Sequence, residues 1–228
     1  MNVKILAHTP NPDNLVAAAG RVCNSPLGGE DLLANLPAKE AESMVQTLLS
    51  VGHLSPLEHI TFTFAIDGVS RALSHQLVRH RVGVSFSQKS QRFVKAGGVD
   101  PGFVTPPSIA QKPALAAKYS QACASLLEVY NELSQEAPQE DARYILPNAT
   151  ETNLVVTMNA RSLLHFFELR CCRRAQWEIR SLAEEILAQV REISPLIFDN
   201  AGPTCRTIGI CFEDKYSCGR CKDVRSRL

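Results

Sequence analysis

Two rhythms of hydrophobic and polar positions organise this chain. Ile60, Phe62, Phe64 and Ile66 alternate with Thr61, Thr63 and Ala65, a period of two that predicts a strand with one buried face. Val3 to Ala7 predicts a short first strand, and Asn153 to Met158 another. A period near 3.6 governs much of the rest. Ala41, Met44, Val45, Leu48 and Leu49 stripe a helix from Ala38 to Val51, with Gly52 at its end. Leu115, Tyr119, Ala122, Cys123, Leu126, Tyr130 and Leu133 stripe a longer one, and a shorter helix from Gln139 to Leu146 stops before Pro147. Ile179, Leu182, Ile186, Val190 and Ile193 form the inner face of a helix from Gln176 to Ile193. Asp13 is placed to cap a helix over Asn14–Val22. Asn24 to Glu30 and the proline-rich Asp100 to Pro113 read as loops. Few strands among long helices predict an α/β (α+β) fold with a small central sheet packed against helices.

Composition narrows this picture. The chain has 228 residues, 45% hydrophobic and 21% charged, ordinary for a globular protein of one sizeable or two small domains. No apolar run approaches the ~20 residues of a membrane span. The N-terminus lacks a secretory apolar region, so a cytoplasmic location is expected, with no membrane partner.

Charge changes the picture more. The net charge is +1, yet the thirty-two residues Gly68 to Val99 contain no Asp or Glu and carry Arg71, Arg79, Arg81, Lys89, Arg92 and Lys95. Such local concentration points to an anionic ligand. Ser70 to His80 reads as a helix. Leu73 and Leu77 lie on one face, His75 and Arg79 on another, and Gly83 is a plausible stop. Ser85 to Arg92 follows, rich in hydroxyl, amide and guanidinium groups. Guanidinium forks suit phosphates, while amides and hydroxyls suit heterocycle edges.

Arg79-His80-Arg81, then Ser90-Gln91-Arg92, resembles the signature of the flavin-dependent thymidylate synthases. Val82 to Lys89 makes the spacing one residue longer than the family's commonest pattern, and Ser87-Gln88 replaces its usual Asn-Glu. Two further segments agree. One is Gly52-His-Leu-Ser-Pro-Leu-Glu-His59 before the aromatic strand. The other is Asn159-Ala-Arg-Ser-Leu163, with Leu169-Arg170 and Ala175-Gln-Trp-Glu178 after it. The resemblance implies reductive methylation of dUMP to dTMP, with methylenetetrahydrofolate giving the carbon and NAD(P)H the electrons through FAD. It implies flavin or folate contacts for His53, Ser55, Glu58, Arg79, His80, Arg81, Ser87, Gln88, Asn159, Arg161, His165 and Arg174. It implies nucleotide contacts for Gln76, Arg79, Gln88, Ser90, Gln91, Arg92, Arg143 and Arg170, with Arg143 at the phosphate and Arg170 at the uracil. Ser90 and Arg170 are the residues expected to serve the chemistry, and a homotetramer with sites built from several subunits is implied.

The resembling domain is placed at 1–200 and a cysteine-rich tail at 201–228. In the tail, Cys205, Cys211 and Cys218-Gly-Arg-Cys221 leave open a four-thiolate zinc site or a plain or redox-active thiol tail. Cys171 and Cys172 follow Arg170 directly and are the nearest thiol nucleophiles, although packing is their ordinary role. The competing function is a nucleic-acid-binding module using the basic segment and a zinc-holding tail. Such modules have a high pI, whereas this chain's is about 7.6. No glycine-rich dinucleotide fingerprint is present, so a flavin would rest on arginines, histidines and loop hydroxyls.

Overall fold

The alternation around Ile60 becomes an inner strand of the main sheet. The computed structural model describes residues 1–95 and 102–226; the end of the basic segment, the start of the proline-rich loop and the last two tail residues lie outside them. In chain order come β1 (Asn2–His8), α1 (Pro12–Val22), α2 (Gly29–Asn35) and α3 (Ala38–Ser50). A 3₁₀ turn at Ser55–His59 leads into β2 (Thr61–Ser70), α4 (Arg71–Leu77) and β3 (Val84–Gln88). Then follow α5 (Pro107–Ala110), α6 (Pro113–Glu136), α7 (Gln139–Ala142) and β4 (Glu151–Asn159). The chain continues through α8 (Ala160–Arg170), α9 (Trp177–Ile193), α10 (Pro195–Phe198) and α11 (Thr204–Thr207). It closes on two-residue strands β5 (Ile210–Cys211) and β6 (Asp223–Val224), which pair in parallel.

The main sheet has the order β1-β2-β4-β3. Its contacts show antiparallel neighbours. The Thr9 N–H donates to the Thr61 carbonyl at 3.0 Å, while Gly68 lies beside Met1. Thr63 meets Thr157 through their hydroxyls at 2.9 Å, and the Gly68 N–H meets Asn153 Oδ1 at 3.3 Å. The Asn159 N–H donates to the Gly83 carbonyl at 3.0 Å, and that of Lys89 to Asn153 at 2.9 Å. The predicted α/β architecture therefore holds, with a small sheet among long helices.

The chain divides into two compact units, one of residues 1–2, 65–79 and 86–155, the other of 3–64, 80–85 and 156–228. The second unit holds most of the large apolar side chains. Val16, Val45, Leu163, Leu182 and Ile186 are completely buried, as their 3.6-residue stripes require. Phe62, Phe198, Phe167 and Phe166 form a chain of ring contacts at 5.7, 5.9 and 5.9 Å. Such aromatic contacts contribute about 0.5–1.5 kcal/mol each beyond area burial.

In the first unit, α4 starts on a true cap, with Ser70 Oγ accepting from the Leu73 N–H at 3.0 Å. It ends at Leu77, earlier than the predicted His80. Helix α6 follows its predicted span, but its stripe is not core: only Cys123 and Tyr130 are buried. Leu115, Val129 and Leu133 are 46%, 41% and 43% exposed, leaving an apolar line open on the single chain.

Other expectations are corrected here. Asp13 does not cap α1; Asn11 holds that position at φ 46° with Pro12 as first helical residue. Asp13 instead accepts from the Ser194 hydroxyl, and burial raises its pKa. Helix α2 begins inside the predicted Asn24–Glu30 loop, because two glycines and a single buried apolar residue, Leu32, conceal it. Strand β3 arises from Ser85–Gln88, where Val84, Phe86 and Gln88 take the less exposed face. The proline-rich segment carries α5 and a bridge from Phe103 to Thr150.

Gly83 does not stop a helix. It sits at φ +65°, and a Cβ there would lie 2.2 Å from Asn159 Nδ2 and 2.6 Å from Ser162 Oγ. The glycine is needed for close approach as well as for its backbone angle. Gly83→Ala is expected to destabilise the protein by about 1–3 kcal/mol. The thermal unfolding midpoint checks this, and an unchanged midpoint would mean that the turn relaxes freely.

Candidate active site

The second unit gathers one set of the implied residues. Strand β4 ends at Asn159, whose Oδ1 accepts the Ser162 N–H at 2.9 Å and so caps α8. The next N–H, of Ala160, donates to the Ile60 carbonyl at 3.0 Å. Ser162 Oγ donates to the Val82 carbonyl at 2.5 Å. These bonds fasten the 80–85 turn to the start of α8. From the first turn of α8, Arg161 Nη1 reaches Glu58 Oε1 at 2.5 Å, with both side chains about half exposed. An exposed pair of this kind stabilises the fold by at most about 1 kcal/mol, so it orients Arg161 more than it strengthens the protein.

Arg161 and His165, one turn apart, line a cleft of about 870 Å³. Leu49, Leu54, Leu164 and Ile197 supply apolar wall, and Glu168, Asn200 and Thr204 polar groups. An apolar-walled cleft with a few polar groups suits a ring-bearing ligand. His53 and Ser55 are exposed at the turn before β2. Arg81 is exposed beside Val82, which is 84% exposed. His80 and Arg170 form a half-buried pair, Arg170 Nε donating to His80 Nε2 at 3.0 Å. Burial first, then the Arg170 charge and His165, lowers His80 to a pKa of about 4.

Arg174 is placed differently from the other implied flavin residues. Its guanidinium stands 5.6 Å over the Tyr216 ring, and it lines a separate cavity of about 310 Å³ in the same unit. Cys171, Cys172, Cys205, Cys211, Cys218 and Cys221 line that cavity too. All eight cysteines are free thiols. Burial, reinforced by Glu184, pushes the Cys171 thiol up to about 12. Burial and then the sulfurs of Cys172, Cys221, Cys211 and Cys218 raise Cys205. Among the described residues, no group of three or more His, Cys, Asp or Glu side chains is arranged to hold a metal ion.

The first unit gathers a second set. Arg92 Nε pairs with Glu140 Oε2 at 3.1 Å, and Arg143 Nε donates to the Glu140 carbonyl at 3.0 Å. One residue thus holds two of the implied nucleotide-binding arginines by their Nε groups. Arg71 joins them: burial, then the nearby Arg143 charge, lowers its pKa. Gln88 Nε2 donates to Thr152 Oγ1 at 3.2 Å, and Ser90 Oγ accepts the Arg92 N–H at 3.2 Å. Ser87 is exposed and Gln76 and Gln91 are partly exposed. Arg79, at the end of this unit's 65–79 stretch, is exposed.

Arg71 and Glu140 stand in this group although neither is among the implied contacts. Arg71 was visible in the basic run, two positions past the β2 core residue Val69. Glu140 had no local signal, since its Arg92 partner lies forty-eight positions away.

The fold and these two groups define a mixed α/β protein equipped for an anionic ligand and a ring system. Comparison with known proteins is specific. The model of the family described as thymidylate synthase complementing protein matches residues 4–196. A protein of Geobacter sulfurreducens named flavin-dependent thymidylate synthase is 46% identical, the match covering 99% of this chain and 97% of that protein. One of the same name from Clostridium tetani is 40% identical over 99% of this chain and 96% of its own. The fold is also that of the UMP/dUMP methylase PolB of Streptomyces cacaoi, crystallised with 5-Br dUMP. There the TM-score is 0.76 at 24% identity, covering 87% of this chain and 93% of that one. The chain belongs to the thymidylate synthase complementing protein family, that of the flavin-dependent thymidylate synthases.

Proposed function

We propose that this protein converts dUMP to dTMP by reductive methylation, using FAD, methylenetetrahydrofolate and NAD(P)H. The observation that carries the reading is family membership over nearly the whole chain. That kinship leaves the nucleic-acid-binding alternative without support.

The residues present fit a flavin. The 870 Å³ cleft has apolar walls for a ring, with Arg161 and His165 at hand for polar groups. On this reading His53, Ser55, Glu58, Arg79, His80, Arg81, Ser87, Gln88, Asn159, Arg161 and His165 serve the flavin and folate. Arg174 belongs to this set only if it leaves its stacking position over Tyr216. The flavin when bound supplies hydride chemistry, which no side chain can.

The chain's own groups bind and polarise the nucleotide. Arg92 and Arg143 offer charge-assisted bonds to the phosphate. Gln76, Arg79, Gln88, Ser90 and Gln91 hold its sugar and base edges. Arg170 polarises a uracil carbonyl, so that the ring accepts electrons. Ser90 acts as a hydrogen-bonding group, because a serine hydroxyl without an adjacent base is a weak nucleophile. The open apolar line on α6, at Leu115, Val129 and Leu133, supports assembly as a homotetramer with sites built from several subunits. No helix among the described residues is long and apolar enough to cross a membrane. A cytoplasmic location, and the division into a 1–200 synthase domain and a 201–228 tail, belong to the same proposal.

The test is spectroscopic and enzymatic. The purified protein is expected to carry or take up FAD, to change its flavin spectrum on adding dUMP, and to form dTMP when folate and NADPH are supplied. A colourless protein with no spectral response to FAD would overturn the reading.

Thiol attack on the uracil is not expected. A Cys171 pKa of about 12 keeps that sulfur protonated at neutral pH, and a thiol is a poor nucleophile. Cys171→Ala with Cys172→Ala should retain activity, as should Cys218→Ser with Cys221→Ser. Intact-protein mass spectrometry during turnover checks the point, and a nucleotide adduct trapped on Cys171, Cys172 or Ser90 would refute it.

A further inference from the structure

Arg170 projects from the last turn of α8, and its Nε donates to His80 Nε2, 3.0 Å away and ninety positions back in the chain. A guanidinium has donors only, so Nε2 must accept and the His80 proton must sit on Nδ1. The imidazole is itself held. Its ring meets the edge of Phe166 at 5.0 Å and 84°, and that of His165 at 6.1 Å. Phe166 is completely buried, so one wall of the imidazole site is rigid core. Among the described residues, the charged and titratable groups that shift His80 are Arg170 and His165, both from α8. Together with burial they keep His80 unprotonated at neutral pH, so its acceptor persists. An arginine stem is otherwise rich in rotamers. Fixing Nε leaves the two Nη groups pointing in one direction.

We infer that His80 is a positioning residue for Arg170: its Nε2 fixes the guanidinium plane, so that the Nη edge meets the substrate ring in one orientation. This rests on the reading above in which Arg170 contacts the uracil. A direct flavin contact by His80 would not require that bond, so the two roles can be separated.

The experiment uses the FAD-loaded enzyme and three single variants. His80→Phe keeps ring volume and the Phe166 contact but removes the acceptor. His80→Gln can place an amide oxygen near the Nε2 position. Arg170→Ala removes the partner. His80→Phe is expected to lower kcat/KM for dUMP about tenfold at saturating FAD, since the lost bond is to a charged group. His80→Gln should recover most of the loss. In the Arg170→Ala background, His80→Phe should add nothing further.

Two results would overturn the inference: no recovery by His80→Gln, or an undiminished His80→Phe effect without Arg170. If Arg170→Ala alone leaves dUMP kinetics intact, the uracil-contact reading fails instead, whatever His80 does. Should His80→Phe not fold, nitrogen NMR of the wild-type histidines decides. An Nε2 that stays unprotonated from neutral to mildly acidic pH supports the bond, and one that gains a proton near the ordinary histidine pKa refutes it.

Discussion

Arg170→Ala is expected to lower kcat/KM for dUMP by about two to three orders of magnitude, the usual cost of losing a preorganised charge at a reacting centre. Two physical effects combine. The substrate loses a cation where electron density must accumulate on the ring. The guanidinium is also partly desolvated, and burial lowers its pKa, so its field there is less screened than at a surface. Removing it leaves the half-buried His80 acceptor without its donor, which adds a local cost to folding. The discriminating measurement is kcat against KM with saturating FAD. A fall mainly in kcat identifies charge stabilisation in the transition state, whereas a rise in KM alone identifies ground-state binding. Unchanged kinetics would remove Arg170 from the site.

Arg92→Ala and Arg143→Ala are each expected to weaken dUMP binding roughly tenfold to a hundredfold, as loss of a charge-assisted phosphate contact implies. FAD affinity should change far less. The two effects should not add, because both arginines are organised by Glu140, one through its carboxylate and the other through its carbonyl. Arg92→Ala also frees the Glu140 carboxylate, which on the proposed reading stands beside the phosphate, so its penalty should exceed that of Arg143→Ala. Calorimetric titration with dUMP and with deoxyuridine separates these contributions. The nucleoside lacks the phosphate and should bind wild type and variants alike. Equal losses for nucleoside and nucleotide would show that the phosphate lies elsewhere.

Where burial is set by neighbours a few residues apart, periodicity was enough to read the structure. The Ile60–Ile66 alternation became β2 with Ile60, Phe62, Phe64 and Ile66 completely buried. The stripe Ile179, Leu182, Ile186 and Val190 became the inner face of α9. On α6, where Leu115 and Leu133 stay exposed, periodicity predicted the helix but not its burial, because a stripe states that a face is apolar and not what covers it. It also failed at β3, where Ser85, Ser87 and Gln88 masked an alternation carried by Val84 and Phe86.

The chain by itself determined the small-sheet, long-helix class, the concentration of cations with no acid among them, and the three segments that mark the family. Those features are local in sequence, so residue type and spacing are sufficient to express them. Only the tertiary structure decided which side chains meet. Glu58 joins Arg161 across one hundred and three positions, His80 joins Arg170 across ninety, and Glu140 joins Arg92 across forty-eight. It also stacked Arg174 over Tyr216 beside the thiol-lined cavity. Such contacts depend on strand register and helix packing, which bring distant segments together without leaving any pattern in the residues between them.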